Sequence, residues 1–530
     1  MNKVLMAIDT EDDTKGNVIW INFFDGKKHY SFRKKDEAVK FLDNLNSSKY
    51  LIWACNLEYD VCNIFDDLSK VILKFGKTRL VSCKYKKCLF YDTINHWSMS
   101  VKEMGEYIKY PKLKFNPSSL KYCQRDTEIV YYFVKTMLEK YKEIGIFDIK
   151  PTISSISLDF WLKVSKFKLK KIDKEHIEKI KPAYFGGRSE CFFIGRVKGD
   201  IFYVDVNSMY PFCMLNELPY PYYYQKRFDI NSFGITKAKI SSQLEIPILP
   251  YRLKNGKVIY PNGEFTGIWS NLELKKAVDL GVKIKKIYFS YTYPIKCQVF
   301  KEYILNLYEK RKNTSDIFLK YLYKKMMNSL YGKFAQGNEI VVIEDFEKFR
   351  KRKKIPNQYV VLNNIVLYRK IGEYPIHSNF IFSIYITAYA RIYLYDLIMK
   401  IKNLGGEILY CDTDSIIYKN KIDLNFSDNL GDIKLEGVYK EFEAKSCKEY
   451  ELVDKENRKY FKVKGIPSLL REEYFNNNYV EFKKPLRIKE AIRRNLKPNL
   501  WIEYKKAKVI SYDKGKVLPD GKVLPLSIYD

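Results

Sequence analysis

Two acidic segments far apart in the 530-residue chain each stand at the end of a β-forming run. Asp205-Val-Asn-Ser-Met-Tyr-Pro211 closes one run, and Tyr410-Cys-Asp412-Thr-Asp414-Ser415 separates two others. Asp412 and Asp414 share one face of an extended chain, because side chains alternate with period two. A fold that pairs this hairpin with the strand ending at Asp205 brings three carboxylates to one sheet edge. Such an edge suits two divalent ions about 3.5–4 Å apart, bridged by Asp205 and Asp414, with Asp412 in support. Taken alone, aspartates at a hairpin tip are ordinary turn residues. Between the two segments lies Lys324-x-x-x-Asn328-Ser-Leu-Tyr331-Gly332. Lys324, Asn328 and Tyr331 recur at i, i+4 and i+7 and so share a helical face. Lys324 suits a phosphate as a point charge, and Tyr331 suits a base or sugar. Arg311 and Lys312, about three turns earlier, offer a second phosphate contact. An amphipathic core helix with a snorkelling lysine has the same pattern.

The charge balance points to a polyanionic partner. Lys and Arg number 94 against 63 Asp and Glu, a formal net charge of +31. A coding bias that inflates lysine is the bland alternative. With 46% apolar and 16% aromatic residues, the chain has ample material for packed cores. No segment reads as membrane-spanning, since Arg391 and Asp396 interrupt the most apolar stretch, 380–399. No leader peptide is read, so the expected location is cytoplasmic: the host cytoplasm for a phage or virus, an organellar linear plasmid also fitting. Ten cysteines lack any CxxC spacing, which excludes an ordinary zinc site. Four histidines leave the chemistry to carboxylates.

The first 150 residues carry a second carboxylate set. Asp9 and Glu11 sit at i and i+2 at the end of a strand expected over 4–8, with a hairpin partner over 17–24. Asp60 follows an apolar strand expected over 50–55. Tyr122 and Asp126 lie one above the other on a long amphipathic helix expected over 118–144. Four carboxylates and a tyrosine suit two divalent cations and an attacking water.

Asp9-Thr-Glu11, Asn56-x-x-x-Asp60 and Tyr122-x-x-x-Asp126 resemble the motifs of 3′–5′ proofreading exonucleases of the DEDDy type. The resemblance implies metal ligation by Asp9, Glu11, Asp60 and Asp126, water positioning by Tyr122, and contact of Asn56 with a frayed 3′ strand. It also implies a lysine just before the third motif, for which Lys114 competes with Lys112 and Lys109. The segments at 205, 324 and 410 resemble the three polymerase motifs of family B DNA polymerases, with Met209 in place of the usual leucine. Tyr184-Phe-Gly186-Gly187 resembles their YxGG motif, which lines a template strand, and Lys448-Glu-Tyr450 their KxY motif, which holds the primer terminus. By the same resemblance Tyr210 lies under the sugar and excludes a ribose 2′-OH. A reverse transcriptase would have adjacent acids where Thr413 separates two.

From Asp205 to Lys324 is 119 residues and from Gly332 to Asp412 is 80, both longer than a minimal palm and fingers. Protein-primed polymerases of phages and linear plasmids are similar, with two insertions there. The expected fold is α/β and α+β multidomain: an RNase H-like exonuclease domain followed by a right-hand polymerase. Its expected parts are exonuclease 1–150, connector 151–190, palm 191–217 and 376–465, first insertion 218–295, fingers 296–336, second insertion 337–375 and thumb 466–530. The basic run 348–354 is either a nucleic-acid contact or a solvated loop, and the whole stretch 337–375 reads as irregular. The function implied is a replicative, protein-primed, DNA-dependent DNA polymerase with 3′–5′ proofreading. It would be a monomer needing Mg²⁺ (two ions per site, Mn²⁺ substituting), dNTPs, primer–template DNA, no membrane, and a terminal protein supplied as a separate chain. The alternatives are a family B enzyme using a nucleic-acid primer, and a DNA-binding exonuclease with an idle polymerase site.

Overall fold

A computed structural model describes residues 3–13, 15–46, 49–477, 479–508 and 511–529. The chain forms two units, each assembled from separated stretches. The first comprises 1–160, 336–375 and 481–504, and the second 161–335, 376–480 and 505–530.

The first unit is built on a seven-stranded sheet: β1 (Val4–Asp12), β2 (Val18–Phe24), β3 (His29–Phe32), β4 (Tyr50–Ala54), β5 (Ile72–Phe75), β6 (Leu80–Tyr85) and β7 (Cys88–Asp92), in spatial order β3-β2-β1-β4-β7-β6-β5. β1 pairs antiparallel with β2 and parallel with β4, so its end opens beside the crossover between them. Helix Leu120–Glu143 lies on β1 and β2, burying Ile129, Val130, Phe133, Val134 and Met137 along one stripe. The chain after β4 turns at once into helix Leu57–Ile64. Asn56 enters it in the left-handed region (φ 74°), and Asp92 replaces a side-chain cap by accepting from the Asn56 and Leu57 amides at 3.1 and 3.2 Å.

Residues 337–375 are not irregular. Glu339–Asp345, Tyr359–Leu362 and Ile365–Ile371 form a three-stranded antiparallel sheet. Its Val360, Ile365 and Leu367 share one buried cluster with Met6, Ile52, Leu57 and Phe90, joined by Ile488 and Ile492 of helix Ile488–Arg494. Alternation in this segment is masked by its lysines, which occupy the connections and the open face.

In the second unit, strand Gly195–Val206 lies at the centre of another seven-stranded sheet, between Ser415–Lys419 and Ile433–Ser446. Glu407–Asp412 and Ser189–Cys191 continue it on one side, Glu449–Val453 and Lys459–Val463 on the other. Gly234–Ser242, Asn262–Ser270 and Lys283–Thr292 make a separate sheet within residues 218–295, and Ser527–Tyr529 adds its fourth strand. The stretch 466–530 is therefore divided, 481–504 belonging with the first unit and 505–530 with the second. Helix Phe380–Asn403 is long and apolar enough to cross a bilayer, but most of it is buried inside this unit.

Candidate active sites

In the first unit, alternation along β1 turns Asp9 and Glu11 to the face covered by helix Leu120–Glu143, where Tyr122 and Asp126 stand one turn apart. One carboxylate oxygen each of Asp9, Glu11 and Asp126 lie within 4.8 Å of one another. Crowded acids repel, and burial penalises their charge. Burial, then Asp126, Asp60 and Glu11, push Asp9 far above the ordinary carboxylate range. Burial and then Asp126 push Glu11 up to about 7. Asp60 follows strand β4, as expected, and comes from helix Leu57–Ile64. It sits outside the 4.8 Å group, accepts from the Thr10 hydroxyl at 2.7 Å, and still bears on Asp9 electrostatically. Asp9 Oδ2, Asp60 Oδ2 and Asp126 Oδ1 are buried without a hydrogen-bond partner. Hard oxygen donors, excess negative charge and unused lone pairs are what a divalent cation satisfies, so this donor set fits Mg²⁺ or Mn²⁺.

Lys112 is the lysine the fold delivers here. It pairs with Asp126, and its ammonium lies 4.6 Å from the Tyr122 ring centroid. Burial alone lowers its proton affinity, but Asp126 and Tyr122 more than reverse that. Lys114 is exposed. Tyr122 is buried beside Phe115, and burial pushes its phenol up to about 12. Asn56 is fixed through its backbone, as described above.

In the second unit the predicted juxtaposition of hairpin and strand is present. Ser415 pairs directly with Asp205, and Asp412 with Ser415. Thr413 takes the left-handed turn position (φ 65°), which lets the Asp414 amide donate back to Asp412 O at 2.8 Å. Asp414 O accepts from the Val206 amide at 2.8 Å, and the Thr413 amide donates to Arg188 O at 2.6 Å. The hairpin tip is thus fastened both to the strand carrying Asp205 and to the loop after Gly187. Burial, then Asp414 and Glu436, push Asp205 up to about 7. Burial is the main cause raising Asp414 to about 6, with Asp412 adding to it. Lys324 and a second lysine (Lys434 for Asp205, Lys448 for Asp414) oppose both shifts. Both Asp412 oxygens accept from Lys448 Nζ, at 2.7 and 2.6 Å. Tyr450 packs under the hairpin, 5.0 Å from Tyr410 and in the same cluster as Phe442.

Helix Ile317–Phe334 begins at Asp316, whose side chain accepts from the Phe318 and Leu319 amides. It buries Phe318, Leu322, Met326, Met327, Leu330 and Phe334 and turns Lys324 outward. Asn328 Nδ2 donates to Lys324 O at 2.9 Å. Tyr331 stacks on Tyr210 at 4.3 Å. Arg311 reaches Ser208 Oγ at 3.4 Å, next to that pair, and Lys312 is exposed.

The loop Tyr184–Gly187 is held by arginines that sequence reasoning did not connect to it. Arg391 Nη1 donates to Phe185 O and Gly186 O at 2.8 and 2.9 Å, and its guanidinium pairs with Glu273 at 2.7 Å. Both side chains of that pair are 1% exposed. Arg252 donates to Tyr184 O at 2.8 Å. A Cβ on Gly187 would stand 2.8 Å from the Thr413 side chain, so the hairpin itself demands glycine there. The one available signal was an arginine in the middle of a mainly apolar stretch, 380–399, which marks a buried partner.

The family model of DNA polymerase type B, organellar and viral, matches residues 86–404, more than half of the chain. A probable DNA polymerase of Neurospora intermedia is 28% identical over 394 residues, 66% of this chain and 39% of its own length. The DNA-directed DNA polymerase of Enterobacteria phage PRD1 is 28% identical over 46% of this chain and 44% of its own length. The chain thus spans about two fifths to half of the length of these curated relatives. Among solved structures, phi29 DNA polymerase complexed with primer–template DNA superposes with a TM-score of 0.74 at 17% identity, covering 96% of this chain and all of that one.

Proposed function

From the chain's membership of the organellar and viral type B DNA polymerases, we propose that it is a replicative DNA-directed DNA polymerase, protein-primed, with 3′–5′ exonuclease activity. The observation that carries the polymerase reading is the hairpin tip fastened beside Asp205. Two aspartates with raised proton affinity face one another there, and both feel Lys324. The coverage of a primer–template-bound phi29 polymerase along its whole length supports a right-hand architecture.

Asp205 and Asp414 are the residues to hold divalent magnesium. Bound there, the ions would supply charge neutralisation for a primer 3′ oxygen and for the leaving pyrophosphate. Lys324 bears on the triphosphate, and Arg311, beside Ser208, offers a second cation. The Tyr210–Tyr331 stack gives the sugar a flat wall that a 2′-OH would strike. Lys448 holds Asp412 and keeps that carboxylate out of competition with Asp205 and Asp414. The Tyr184–Gly187 loop takes the template strand. In the first unit Asp9, Glu11, Asp60 and Asp126 would hold the cations of the exonuclease, and Tyr122 with Lys112 would orient the attacking water. Protein priming, with a terminal protein as partner, rests on family resemblance and on the two long insertions.

A 5′-labelled primer–template incubated with Mg²⁺ tests this reading. Extension with dNTPs and 3′ shortening without them are expected. Shortening alone refutes the polymerase assignment, and extension alone refutes the exonuclease.

A further inference from the structure

Residues 486–501 lie on the first unit, far in sequence from its catalytic motifs, and their attachment ends at a carboxylate. Ile488 N and Leu80 N both donate to Glu58, at 2.5 and 3.2 Å. Lys489 Nζ donates to Gly76 O at 2.9 Å. Asn499 then donates from Nδ2 to Asn63 Oδ1 at 2.9 Å. Asn63 donates from Nδ2 to Thr10 Oγ1 at 3.1 Å, and Thr10 donates its single hydroxyl proton to Asp60 Oδ1 at 2.7 Å. Asn63, Thr10 and Asp60 are each no more than 3% exposed. A parallel arm runs from Trp501 Nε1 to Asp12 Oδ2 at 3.4 Å, and Asp12 is bonded to the Tyr59 phenol, which also meets Asn63.

The polarity of the chain is what matters. Thr10 has one proton, and it points at Asp60 only because Asn63 presents an N–H to the threonine oxygen. Asn63 presents that N–H because its carbonyl is taken by Asn499. With its carbonyl released, the Asn63 amide is held only through its bonds to Thr10 and the Tyr59 phenol, and a rotation would let its oxygen claim the Thr10 proton. Asp60 Oδ1 would then keep only the Thr10 backbone amide, beside Oδ2, which has no donor at all.

We propose that Asn499 is a positioning residue for Asp60, so that seating of the 486–501 segment sets how well the exonuclease site binds its divalent cations. The inference rests on the exonuclease reading above. Partners one step behind metal ligands commonly change metal affinity by about 10–100-fold.

Asn499 has φ 60°, so Asn499→Gly removes the side chain without straining the backbone. In a full-length chain carrying Asp205→Asn and Asp414→Asn, calorimetric titration with Mn²⁺ reports the first-unit site alone. Asn499→Gly is expected to raise the half-saturating Mn²⁺ about tenfold. The same displacement is expected in 3′ shortening, with kcat at saturating Mn²⁺ and KM for single-stranded DNA near wild type. Asn499→Asp, which keeps the shape and loses the donor, should reproduce the shift. Thr10→Val should do so with the segment untouched, and the double variant should add little to either change. Unchanged Mn²⁺ saturation in these variants, with wild-type shortening intact, overturns the positioning role and leaves the exonuclease standing. A wild-type chain that neither binds Mn²⁺ in the first unit nor shortens DNA overturns the exonuclease reading and this inference with it.

Discussion

Asp205 and Asp414 hold their protons more tightly in the folded chain than in an unfolded one, and so do Glu11 and Asp9. An acid with a raised folded pKa contributes stability below its unfolded value and loses it as pH rises through the folded value. Asp205, Asp414 and Glu11 therefore favour the metal-free fold near pH 4–5 and oppose it as pH passes through 6–7, and Asp9 acts in the same direction. A divalent cation replaces the lost protons. The rise in melting temperature caused by Mg²⁺ or Mn²⁺ should grow from pH 5 to pH 8, as read by differential scanning calorimetry. An equal rise at both pH values would contradict a cation-binding role. The two sites should also separate by substitution. Asp414→Asn is expected to abolish primer extension and leave 3′ shortening, while Asp9→Ala with Glu11→Ala should do the reverse. Single carboxylate losses at such centres cost several orders of magnitude in rate, because the charge they balance develops in the transition state. Equal loss of both activities in either variant would defeat the two-site assignment.

At the scale of elements, the Tyr184–Gly187 loop depends on a buried ion pair whose halves come from helix Asn271–Asp279 and helix Phe380–Asn403. Removing one partner of such a pair leaves an uncompensated charge and costs about 3–5 kcal/mol. Glu273→Ala is therefore expected to lower the melting temperature and to weaken extension through looser template binding, with KM for primer–template rising more than kcat falls. Preserved stability together with normal KM would show that the loop is held otherwise. The elements themselves were largely legible. Strand β1, its hairpin partner, helix Leu120–Glu143 and the 410–418 hairpin follow from period-two and period-3.6 patterning. Arg391 and Glu273 were not, because a residue's partner across the fold leaves no local trace. The sheet within 339–371 was hidden for a related reason: its apolar face is paid back by Met6, Ile52 and Ile488, hundreds of positions away in part. Asp60 follows the apolar strand as read, but its place on helix Leu57–Ile64 was not legible, because β4 passes into that helix through Cys55 and the left-handed Asn56, too short a junction for any period to show. Lys112 and Lys114 were indistinguishable by spacing, and only the fold of the Tyr110–Phe115 stretch decides between them.

For the molecule as a whole, a formal charge of +31 predicts steeply salt-dependent DNA binding. With six to ten phosphates neutralised, affinity should fall by about a thousandfold or more between 50 and 200 mM salt. Fluorescence anisotropy with a duplex bearing a recessed 3′ end measures the slope, and flat binding would dissociate the charge from phosphate contact. The division of the chain into interleaved stretches has a consequence for biosynthesis. A ribosome that has released residues 1–160 has not yet made Val360, Ile365, Leu367, Ile488 or Ile492, which complete that unit's apolar interior. The sheet of residues 234–292 likewise waits for Ser527–Tyr529 to supply its fourth strand. Neither unit can close before residues 481–529 have been made, so the nascent protein first emerges with incomplete cores and exposed strand edges. Expression at low temperature, or with chaperones that shield apolar surface, should raise the soluble yield, and a genetic dissection that cuts between the two catalytic centres should yield aggregates instead of two working halves.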